Sequence, residues 1–355
     1  MKIVHFDADK ITADYLNKHP INDAQTIITS EGIDRLSKET YDQVKDADVI
    51  TVFVHTETRM DEHTLGKFHN LKLLCTRSSG YDHIDMDYCT SRGIVVCRVP
   101  RYGEATVAEF AAGLLLNVTR KIYHARNDMR NGNVRMNDYL GFDLCGKTIG
   151  IIGFGAIGKY MGKIAQGFGM KVVAYDLYKD TEYAKKNNIE YTTLDELFAK
   201  SDVISLHAPS TKENYHLINE ESFAKMKDGV VIINTGRGDL IDSEALYKAI
   251  ASGKVYGAGL DVLENEDFII HDDIILKDKA VTMDYAINTI ANNKLIHHRD
   301  VIVTPHAAFN SIDAVHRILD TTLENIRGFM SGVINNCIIK EPIHIDYVDV
   351  TTTVK

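Results

Sequence analysis

A short glycine-rich turn constrains the fold of this chain more than any other feature. Gly153, Gly155 and Gly158 form the pattern G-x-G-x-x-G directly after the apolar segment Thr148–Ile152, and helix-forming residues follow. Asp176 ends the next apolar segment, about 20 residues further on. This order of strand, glycine turn, helix, strand and acidic residue is typical of a βαβ unit that binds a dinucleotide.

Each glycine of this turn has a physical reason. The first permits the tight turn, the second lets the backbone approach a pyrophosphate, and the third lets helix and strand pack closely. The N–H groups at the start of the helix would then face the phosphate charge. The turn residues predicted to contact the cofactor are Gly153, Gly155, Ala156, Ile157 and Gly158.

The acidic residue after the second strand indicates which dinucleotide binds. A carboxylate at Asp176 would accept hydrogen bonds from the adenosine ribose hydroxyls and repel a 2′-phosphate, so the sequence predicts NAD rather than NADP. The alternative is a glycine turn followed by a capping aspartate. The complete βαβ context favours NAD.

Bulk composition narrows the class of protein. The 355 residues are enough for two domains of about 100–200 residues each. With 50 acidic and 40 basic side chains, the net charge of −10 argues against a nucleic-acid partner. Residues 1–7 are expected to form a buried strand rather than a signal peptide, and the apolar runs are shorter than the ~20 residues that span a membrane.

Cysteines and histidines add no metal or disulfide signature. The five cysteines form no C-x-x-C pair, which favours reduced thiols and a cytoplasmic protein. The 15 histidines include no H-E-x-x-H pattern and no Cys/His pairs at zinc spacing. We therefore expect no metal site.

Short apolar segments alternate with helical stretches along the chain, which predicts parallel sheets. The predicted strands are residues 2–6, 49–54, 71–76 and 93–96, and then 148–152, 171–175, 202–206, 230–234, 257–262 and 301–304. Between the two series, residues 104–129 carry apolar side chains at helical spacing and are long enough to link two domains.

The predicted fold class is α/β, with two doubly wound parallel-sheet domains joined by two interdomain helices. A Rossmann NAD-binding domain would span residues 101–309. A smaller, flavodoxin-like substrate domain would combine residues 1–100 with residues 310–355. Residues 267–293 are poorly patterned and are interpreted as an insertion.

Three later segments place polar or charged residues just beyond an apolar strand. They are residues 234–238 (Asn-Thr-Gly-Arg-Gly), 261–266 (Asp-Val-Leu-Glu-Asn-Glu) and 304–306 (Thr-Pro-His). Sheets of this kind bind ligands at the carboxyl ends of their strands. We therefore expect the three segments to lie at one ligand-binding edge.

This order of motifs resembles the D-2-hydroxyacid dehydrogenase family, and its D-lactate dehydrogenase branch most closely. The likeness extends from the loop Arg-Ser-Ser-Gly-Tyr-Asp-His-Ile-Asp at residues 77–85 through His306. It implies that Arg237 holds the substrate carboxylate, that His306 is the acid/base and that Glu266 pairs with this histidine. It also implies that Asp261 contacts the nicotinamide end of NAD.

These residue types suit reduction of a 2-oxo acid. A guanidinium grips a planar carboxylate with two parallel hydrogen bonds, which an ammonium does not reproduce. A histidine is able to donate the proton that the ketone oxygen needs near neutral pH. A nearby carboxylate raises the pKa of that histidine and extends the pH range in which it donates.

Each of the three residues has a plainer interpretation when it is taken alone. Arg237 would be a surface loop arginine, Glu266 part of a solvated acidic run, and His306 a satisfied histidine at a loop end. Their joint occurrence in family order favours the catalytic interpretation. The neighbouring Glu264 leaves the register of the glutamate open.

The resemblance also implies substrate contacts. Backbone N–H groups of Ser79 and Gly80, after Ser78, would bind the substrate carboxylate, although a plain strand-ending turn explains these residues equally well. Tyr102 and Phe309 match aromatic residues of the substrate pocket in the lactate branch, and the alternative for both is a place in a core.

Further cofactor contacts follow from the same resemblance. Thr106 lies in a segment that resembles the interdomain hinge beside the nicotinamide. The other predicted contacts are His207, Ala208, Pro209, Thr235, Gly236 and Asp261. Two departures, Gly-Glu-Ala at residues 103–105 where Ser-Pro-Asn is common and the long stretch between Glu266 and His306, leave the substrate open.

Three functions compete at this point. The first is reduction of a small 2-oxo acid, with pyruvate and D-lactate as the best pair. The second is the same chemistry on 2-oxoisocaproate, phenylpyruvate, 2-oxoglutarate or phosphoglycerate, where an anionic tail would need a basic residue such as Arg77 or Arg101. The third is a non-catalytic, NAD-sensing scaffold or corepressor. Family members are usually dimers, so we expect a homodimer.

Overall fold

The computed structural model describes residues 1–53, 59–266 and 283–338. It divides the chain into two compact units, one comprising Met1–Tyr102 with Ser311–Lys355 and the other Gly103–Asn310. The chain therefore passes between the units twice, and each crossing directly precedes the start of a long helix.

The sheet of the first unit has five parallel strands in the order β2-β1-β3-β4-β5. This is the flavodoxin-like order. The strands are β1 (Lys2–His5), β2 (Gln25–Ile28), β3 (Val49–Val52), β4 (Leu73–Thr76) and β5 (Val95–Cys97). The helices are α1 (Lys10–Lys18), α2 (Lys38–Val44), α3 (Glu62–Leu65), α4 (Met86–Ser91) and, late in the chain, α13 (Ile312–Met330).

The sheet of the second unit has seven parallel strands in the order β12-β11-β10-β9-β6-β7-β8. The strands are β6 (Thr148–Ile152), β7 (Lys171–Tyr175), β8 (Glu190–Tyr191), β9 (Val203–Leu206), β10 (Val230–Asn234), β11 (Val255–Leu260) and β12 (Val301–Val303). The strand order reverses between β6 and β9, where doubly wound sheets bind their ligands.

The helices of the second unit cover this sheet. They are α5 (Glu104–Arg120), α6 (Ile122–Asn131), α7 (Ala156–Gly167), α8 (Thr181–Lys186), α9 (Leu194–Lys200), α10 (Glu220–Lys225), α11 (Ser243–Ala251) and α12 (Met283–His297). Close packing of α5 on β11 depends on glycine, because a Cβ on Gly259 would lie 2.8 Å from Cβ of Leu114. The predicted fold class is confirmed.

The sequence missed two short strands, β2 and β8. Both lie at an edge of their sheet, and their side chains are exposed or half-buried rather than buried. The prediction depended on runs of apolar residues, and an edge strand that buries little needs no such run.

The stretch with helical spacing over residues 104–129 forms two successive helices. The helix breaks at Lys121, which adopts a left-handed conformation with φ of 52° between α5 and α6. The Lys121 ammonium donates to Asp300 Oδ1 at 2.6 Å and lies 4.7 Å from the centre of the Tyr256 ring. These tertiary contacts stabilise a break that the helical spacing does not reveal.

The predicted insertion at residues 267–293 falls largely outside the described residues, and so does the tail from residue 339. The described part of that insertion, from residue 283, belongs to helix α12.

A buried histidine makes the stability of the first unit depend on pH. His5 in β1 is 1% exposed, and its Nδ1 shares a hydrogen bond of 2.8 Å with Oγ1 of Thr51 in β3. Burial, assisted by the charge of Arg77, lowers the pKa of His5 to about 3. The folded protein therefore holds this side chain neutral across the physiological range.

We expect this histidine to destabilise the protein as the pH falls. Below about pH 6.5 the His5 side chain binds a proton in the unfolded chain but stays neutral in the folded chain. Its contribution to the free energy of unfolding is therefore complete above that pH and is lost as the pH falls toward about 3. Between pH 7 and pH 5 the loss should be about 2 kcal/mol. In urea unfolding, most of this pH-dependent loss of stability should be absent in His5→Asn and retained in the exposed control His63→Asn. An unchanged pH dependence in His5→Asn would contradict the assignment.

Candidate active site

The glycine turn of the second unit leaves its backbone open to a ligand. Gly153 has φ of 85°, and a Cβ on it would lie 2.5 Å from Ala208 N. A Cβ on Gly158 would lie 2.3 Å from the carbonyl oxygen of Gly153, whereas one on Gly155 would meet no atom within 4 Å. Gly155 is also the N-cap of α7 and has no side chain to accept from the first N–H groups. The turn therefore fits a pyrophosphate.

Asp176 follows β7 at the same edge of the sheet. Its Oδ1 accepts a hydrogen bond of 2.8 Å from Tyr178 N, which fixes the carboxylate beside the chain. Leu177 and Tyr178 are 81% and 89% exposed. Sequence reasoning did not single out these two residues, because a pair of surface side chains carries no pattern of its own.

The loops after β9 and β10 contact each other at the ends of their strands. Nδ1 of His207 lies 3.1 Å from Oγ1 of Thr235, and a Cβ on Gly236 would lie 2.9 Å from the carbonyl oxygen of Ala208. Burial lowers the pKa of His207 to about 4, so its ring is neutral near pH 7. Pro209 is exposed in the same loop.

Asn234, the last residue of β10, shapes the loop that carries Arg237. Its side chain is buried, accepts from Gly236 N at 2.9 Å and donates to the carbonyl oxygen of Arg237 at 2.8 Å. Arg237 is half-buried and donates from Nη1 to the carbonyl oxygen of Gly236 at 2.9 Å. Asn234 was not predicted as a site residue, although an asparagine at the end of an apolar strand was a usable signal.

The Arg237 loop packs directly on the turn that carries Glu266. A Cβ on Gly238 would lie 2.1 Å from the carbonyl carbon of Leu263 and 2.4 Å from Glu264 N. Only a glycine permits this approach, which explains the Gly-Arg-Gly order around Arg237.

The second unit contains the predicted histidine–glutamate pair. Nδ1 of His306 lies 2.7 Å from Oε1 of Glu266, and the two side chains are 41% and 20% exposed. Oε2 of Glu266 accepts from Leu263 N at 3.2 Å. The glutamate is therefore held at both oxygens, and the histidine ring keeps a partly exposed edge.

The pKa of His306 is raised above its ordinary value. Burial lowers it, but the hydrogen bond and charge of Glu266, together with the charge of Asp261, outweigh burial. The positive charge of Arg237 lowers it. The balance favours the imidazolium, which is the form that donates a proton.

Asp261 is buried and holds the loop that presents His306. Its Oδ1 accepts from Oγ1 of Thr304 at 2.5 Å and from Ala307 N at 2.9 Å, and its Oδ2 accepts from Ala308 N at 2.8 Å. His306 itself has a left-handed φ of 49°. The sequence placed Asp261 at the nicotinamide, and that role stays a prediction. The contacts in the structure position His306.

The structure separates the two glutamates that the sequence left in doubt. Glu266 pairs with His306, whereas Oε1 of Glu264 accepts from the Tyr215 hydroxyl at 2.7 Å and lies 3.0 Å from Nε2 of His216.

In the first unit, a chain of hydrogen bonds shapes the predicted substrate loop. Oγ1 of Thr76 lies 3.2 Å from Nε2 of His83 and 2.7 Å from Oγ of Ser78, which donates to the carbonyl oxygen of Gly80 at 2.6 Å. Arg98 donates to the carbonyl oxygen of Ser79 at 3.1 Å. Sequence reasoning missed Arg98, because it follows a different strand.

Arg77 is buried in the first unit rather than presented to solvent. It is 2% exposed, and its guanidinium donates to the carbonyl oxygens of Phe6 and Asp7. Burial lowers its pKa to about 10. These contacts occupy a residue that the sequence offered as a partner for an anionic substrate tail.

The remaining predicted site residues are Tyr102, Thr106 and Phe309. The carbonyl oxygen of Tyr102 accepts from Nε of Arg317 at 2.6 Å within the first unit. Thr106 lies in the first turn of α5, and Phe309 is half-buried three residues after His306. Their roles stay predictions.

Comparison with known proteins agrees with this geometry. The model of the D-isomer specific 2-hydroxyacid dehydrogenase NAD-binding domain matches residues 112–308. The chain belongs to this dehydrogenase family. NAD is therefore its cofactor, and the glycine turn after β6 is the part of the structure that fits the pyrophosphate.

Relatives in the family have different named substrates. The chain is 37% identical to D-lactate dehydrogenase of Escherichia coli over 84% of its own length and 88% of that protein. It is 41% identical to an aromatic 2-oxoacid reductase of Clostridium sporogenes over 75% and 78% of the two chains. A structure of Aquifex aeolicus D-lactate dehydrogenase with NAD and lactic acid matches with a TM-score of 0.77 and 34% identity, covering 93% and 96%. These matches support an NAD-dependent 2-hydroxyacid dehydrogenase.

The described part of the chain contains neither a membrane-spanning helix nor a cluster of metal ligands. Within residues 1–53, 59–266 and 283–338, no helix is long and apolar enough to cross a membrane. No three His, Cys, Asp or Glu side chains of this described part are grouped so that they could hold a metal ion.

We expect Gly153→Ala to abolish tight NADH binding, because its Cβ would collide with the Ala208 backbone. The dissociation constant should rise at least about tenfold, measured by isothermal titration calorimetry. Gly253→Ala is a matched control, because Gly253 also has a positive φ, 78°, but a Cβ on it would meet no atom within 4 Å. Equal NADH affinities for the two variants would refute the role of the turn.

Proposed function

We propose that this enzyme reduces pyruvate to D-lactate and catalyses the reverse reaction. The observation that carries the proposal is the contact of 2.7 Å between His306 Nδ1 and Glu266 Oε1, on a turn that packs against the Arg237 loop. A planar carboxylate next to a ketone is the chemical group that a guanidinium and an imidazolium recognise together.

Bound NADH supplies the hydride that reaches the C2 carbon of the substrate. Glu266 accepts the Nδ1 hydrogen of His306, so the proton on Nε2 of the imidazolium is the one that goes to the ketone oxygen. His306 is neutral after this step, and it accepts the proton in the reverse direction. Arg237 binds the substrate carboxylate and orients the ketone.

The proposal extends to the other predicted contacts. In the first unit, the N–H groups of Ser79 and Gly80 are assigned to the substrate carboxylate and Tyr102 to the substrate pocket. In the second unit, Phe309 is assigned to substrate binding. Thr106, Asp261 and the loops that begin at His207 and Thr235 are assigned to NAD. The hydrogen bond from Arg98 to the carbonyl oxygen of Ser79 supports this assignment of the loop, because it holds the peptide group next to the proposed N–H donors in place.

Pyruvate is favoured over acids with an anionic tail. Arg77, one of the two basic residues suggested for such a tail, is buried against backbone carbonyls, so it is unsuited to bind the second carboxylate of 2-oxoglutarate or the phosphate of phosphoglycerate. The other, Arg101, is exposed. Similarity to the Escherichia coli and Aquifex aeolicus D-lactate dehydrogenases supports the small substrate. The aromatic 2-oxoacid reductase makes phenylpyruvate the principal competitor.

We expect pyruvate to have the highest kcat/KM in a panel with 2-oxoisocaproate, phenylpyruvate and 2-oxoglutarate, followed by NADH absorbance. His306→Gln should lower kcat about 10²- to 10⁴-fold, because it removes the general acid, and should leave NADH affinity unchanged. His297→Gln, on an exposed histidine of α12, is the control. Highest efficiency with phenylpyruvate would reassign the substrate. No turnover of any acid, together with NADH-dependent binding of a protein partner, would favour the scaffold function.

We also propose that the enzyme is a homodimer in the cytoplasm. An apolar surface on α6 and the segment after it supports the dimer, because such surfaces mark protein contacts. We call it the α6 surface; its exposed members are Ile122, Tyr123, Met129, Val134, Met136 and Leu140. The free state of all five cysteines supports a reducing compartment.

We expect Met136→Asp combined with Leu140→Asp to convert the dimer to a monomer, because two charges would lose their hydration in the contact. Light scattering after size-exclusion chromatography measures the mass. Ile312→Asp is a control with comparable exposure, 63% against 78% and 80%. A monomeric wild-type protein, or a double variant that stays dimeric, would exclude the α6 surface as the dimer contact.

A further inference from the structure

A second histidine–glutamate pair, His216 with Glu264, lies next to the proposed acid–base pair in the chain, because Glu264 is two residues before Glu266. Oε1 of Glu264 accepts from the Tyr215 hydroxyl at 2.7 Å and lies 3.0 Å from Nε2 of His216. The Tyr215 and His216 rings stack with centres 3.9 Å apart. The turn at residues 263–266 therefore carries two carboxylates: Glu264 contacts His216, and Glu266 contacts His306.

Glu264 is held more firmly than a substrate-binding residue would need to be. It is 4% exposed, and its carbonyl oxygen accepts from Nδ2 of Asn292 in α12 at 2.6 Å. Its amide nitrogen packs closely against Gly238, because a Cβ on Gly238 would lie 2.4 Å from this nitrogen. The side chain and the carbonyl oxygen are thus hydrogen-bonded by two different parts of the unit, and the Gly238 backbone packs against the amide.

Burial of this carboxylate is costly and calls for an explanation. Oε2 of Glu264 is buried and has no hydrogen-bond partner among the described residues. An acceptor left in this state costs on the order of 1–3 kcal/mol or more. Burial, followed by the hydrogen bond and charge of Glu264, raises the pKa of the Tyr215 hydroxyl to about 12, so Tyr215 remains a donor.

Glu264 is separated by a single residue, Asn265, from Glu266 of the proposed acid–base pair. Asn265 has a left-handed φ of 53°, which turns the chain so that Glu266 reaches both Leu263 N and His306. Asparagine adopts this conformation more readily than other non-glycine residues, so the direction of the turn depends on where its neighbours are held. Glu264 is the neighbour whose side chain and carbonyl oxygen are both held by hydrogen bonds.

We propose that Glu264 is a positioning residue, anchored by Tyr215 and His216, which sets the turn so that Glu266 meets His306. The inference rests on the proposed function, in which Glu266 and His306 are the acid–base pair. Glu264 itself does not touch the reacting atoms. It acts on the reaction through the pKa of His306.

Four variants test the inference by the pH at which His306 titrates. The charged groups that face His306 are Glu266, Asp261 and Arg237, and those that act on Tyr215 beside Glu264 include Asp239 and Asp242. Glu264→Ala removes the anchor, and Glu264→Gln keeps an acceptor for Tyr215 and His216 without the charge. Tyr215→Phe removes one donor from a half-exposed site, and Glu190→Ala, an exposed glutamate paired with Lys200 at 2.7 Å, is the matched control.

Reduction requires the His306 imidazolium, so kcat/KM falls as the pH rises through the His306 pKa. In Glu264→Ala we expect Glu266 to leave this histidine, and the midpoint to shift to lower pH by about one unit. Tyr215→Phe should shift it in the same direction by less. Glu264→Gln and Glu190→Ala should retain the wild-type midpoint. Loss of stability alone would lower the amount of active enzyme without moving the midpoint.

Titration of His306 by NMR in histidine-labelled protein gives the same pKa without turnover. If the wild type reduces no 2-oxo acid, the proposed function fails, but this titration still tests the positioning. A His306 pKa equal to wild type in folded Glu264→Ala would overturn the inference. An equal shift in Glu264→Gln would also overturn it, because the charge of Glu264 would then act directly. If Glu264→Ala does not fold, an unchanged pKa in Tyr215→Phe would overturn it.

Discussion

The buried carboxylate of Asp261 is the interaction on which the proposed site depends. Its two oxygens accept from Thr304, Ala307 and Ala308, which fixes the chain on both sides of His306. His306 is thereby kept in a left-handed conformation that a free loop would seldom adopt. Without this support the histidine would not stay within 2.7 Å of Glu266. The raised pKa of His306 follows from that short contact.

Glycine provides the second constraint, since it lets separate loops approach at the carboxyl edge of the sheet. Gly153 contacts the backbone at Ala208, and Gly238 contacts the backbone at Leu263. Side chains at these positions would push apart the loops that carry the pyrophosphate turn, Arg237 and Glu266. The turn proposed to bind the cofactor and the loop proposed to bind the substrate therefore depend on the same kind of close backbone contact.

The central strands were predictable because they bury apolar side chains on both faces. Edge strands β2 and β8 carry no such run, and the break at Lys121 depends on contacts with Asp300 and Tyr256. In the site, residue types and their order predicted Arg237, Glu266 and His306. The contacts of Arg98 and Glu264 were not predictable, because their partners lie in other loops.

By itself, the amino-acid sequence determined the class of fold, the glycine turn with Asp176, and the set of arginine, glutamate and histidine from which a site could be built. These are local properties, since they depend on patterns within a few turns of chain. Only the tertiary structure decided that Glu266 rather than Glu264 pairs with His306, and that Arg77 is buried against backbone carbonyls. Such pairings join residues 40 or more positions apart, and the packing of the sheet, not the spacing of residues, brings them together.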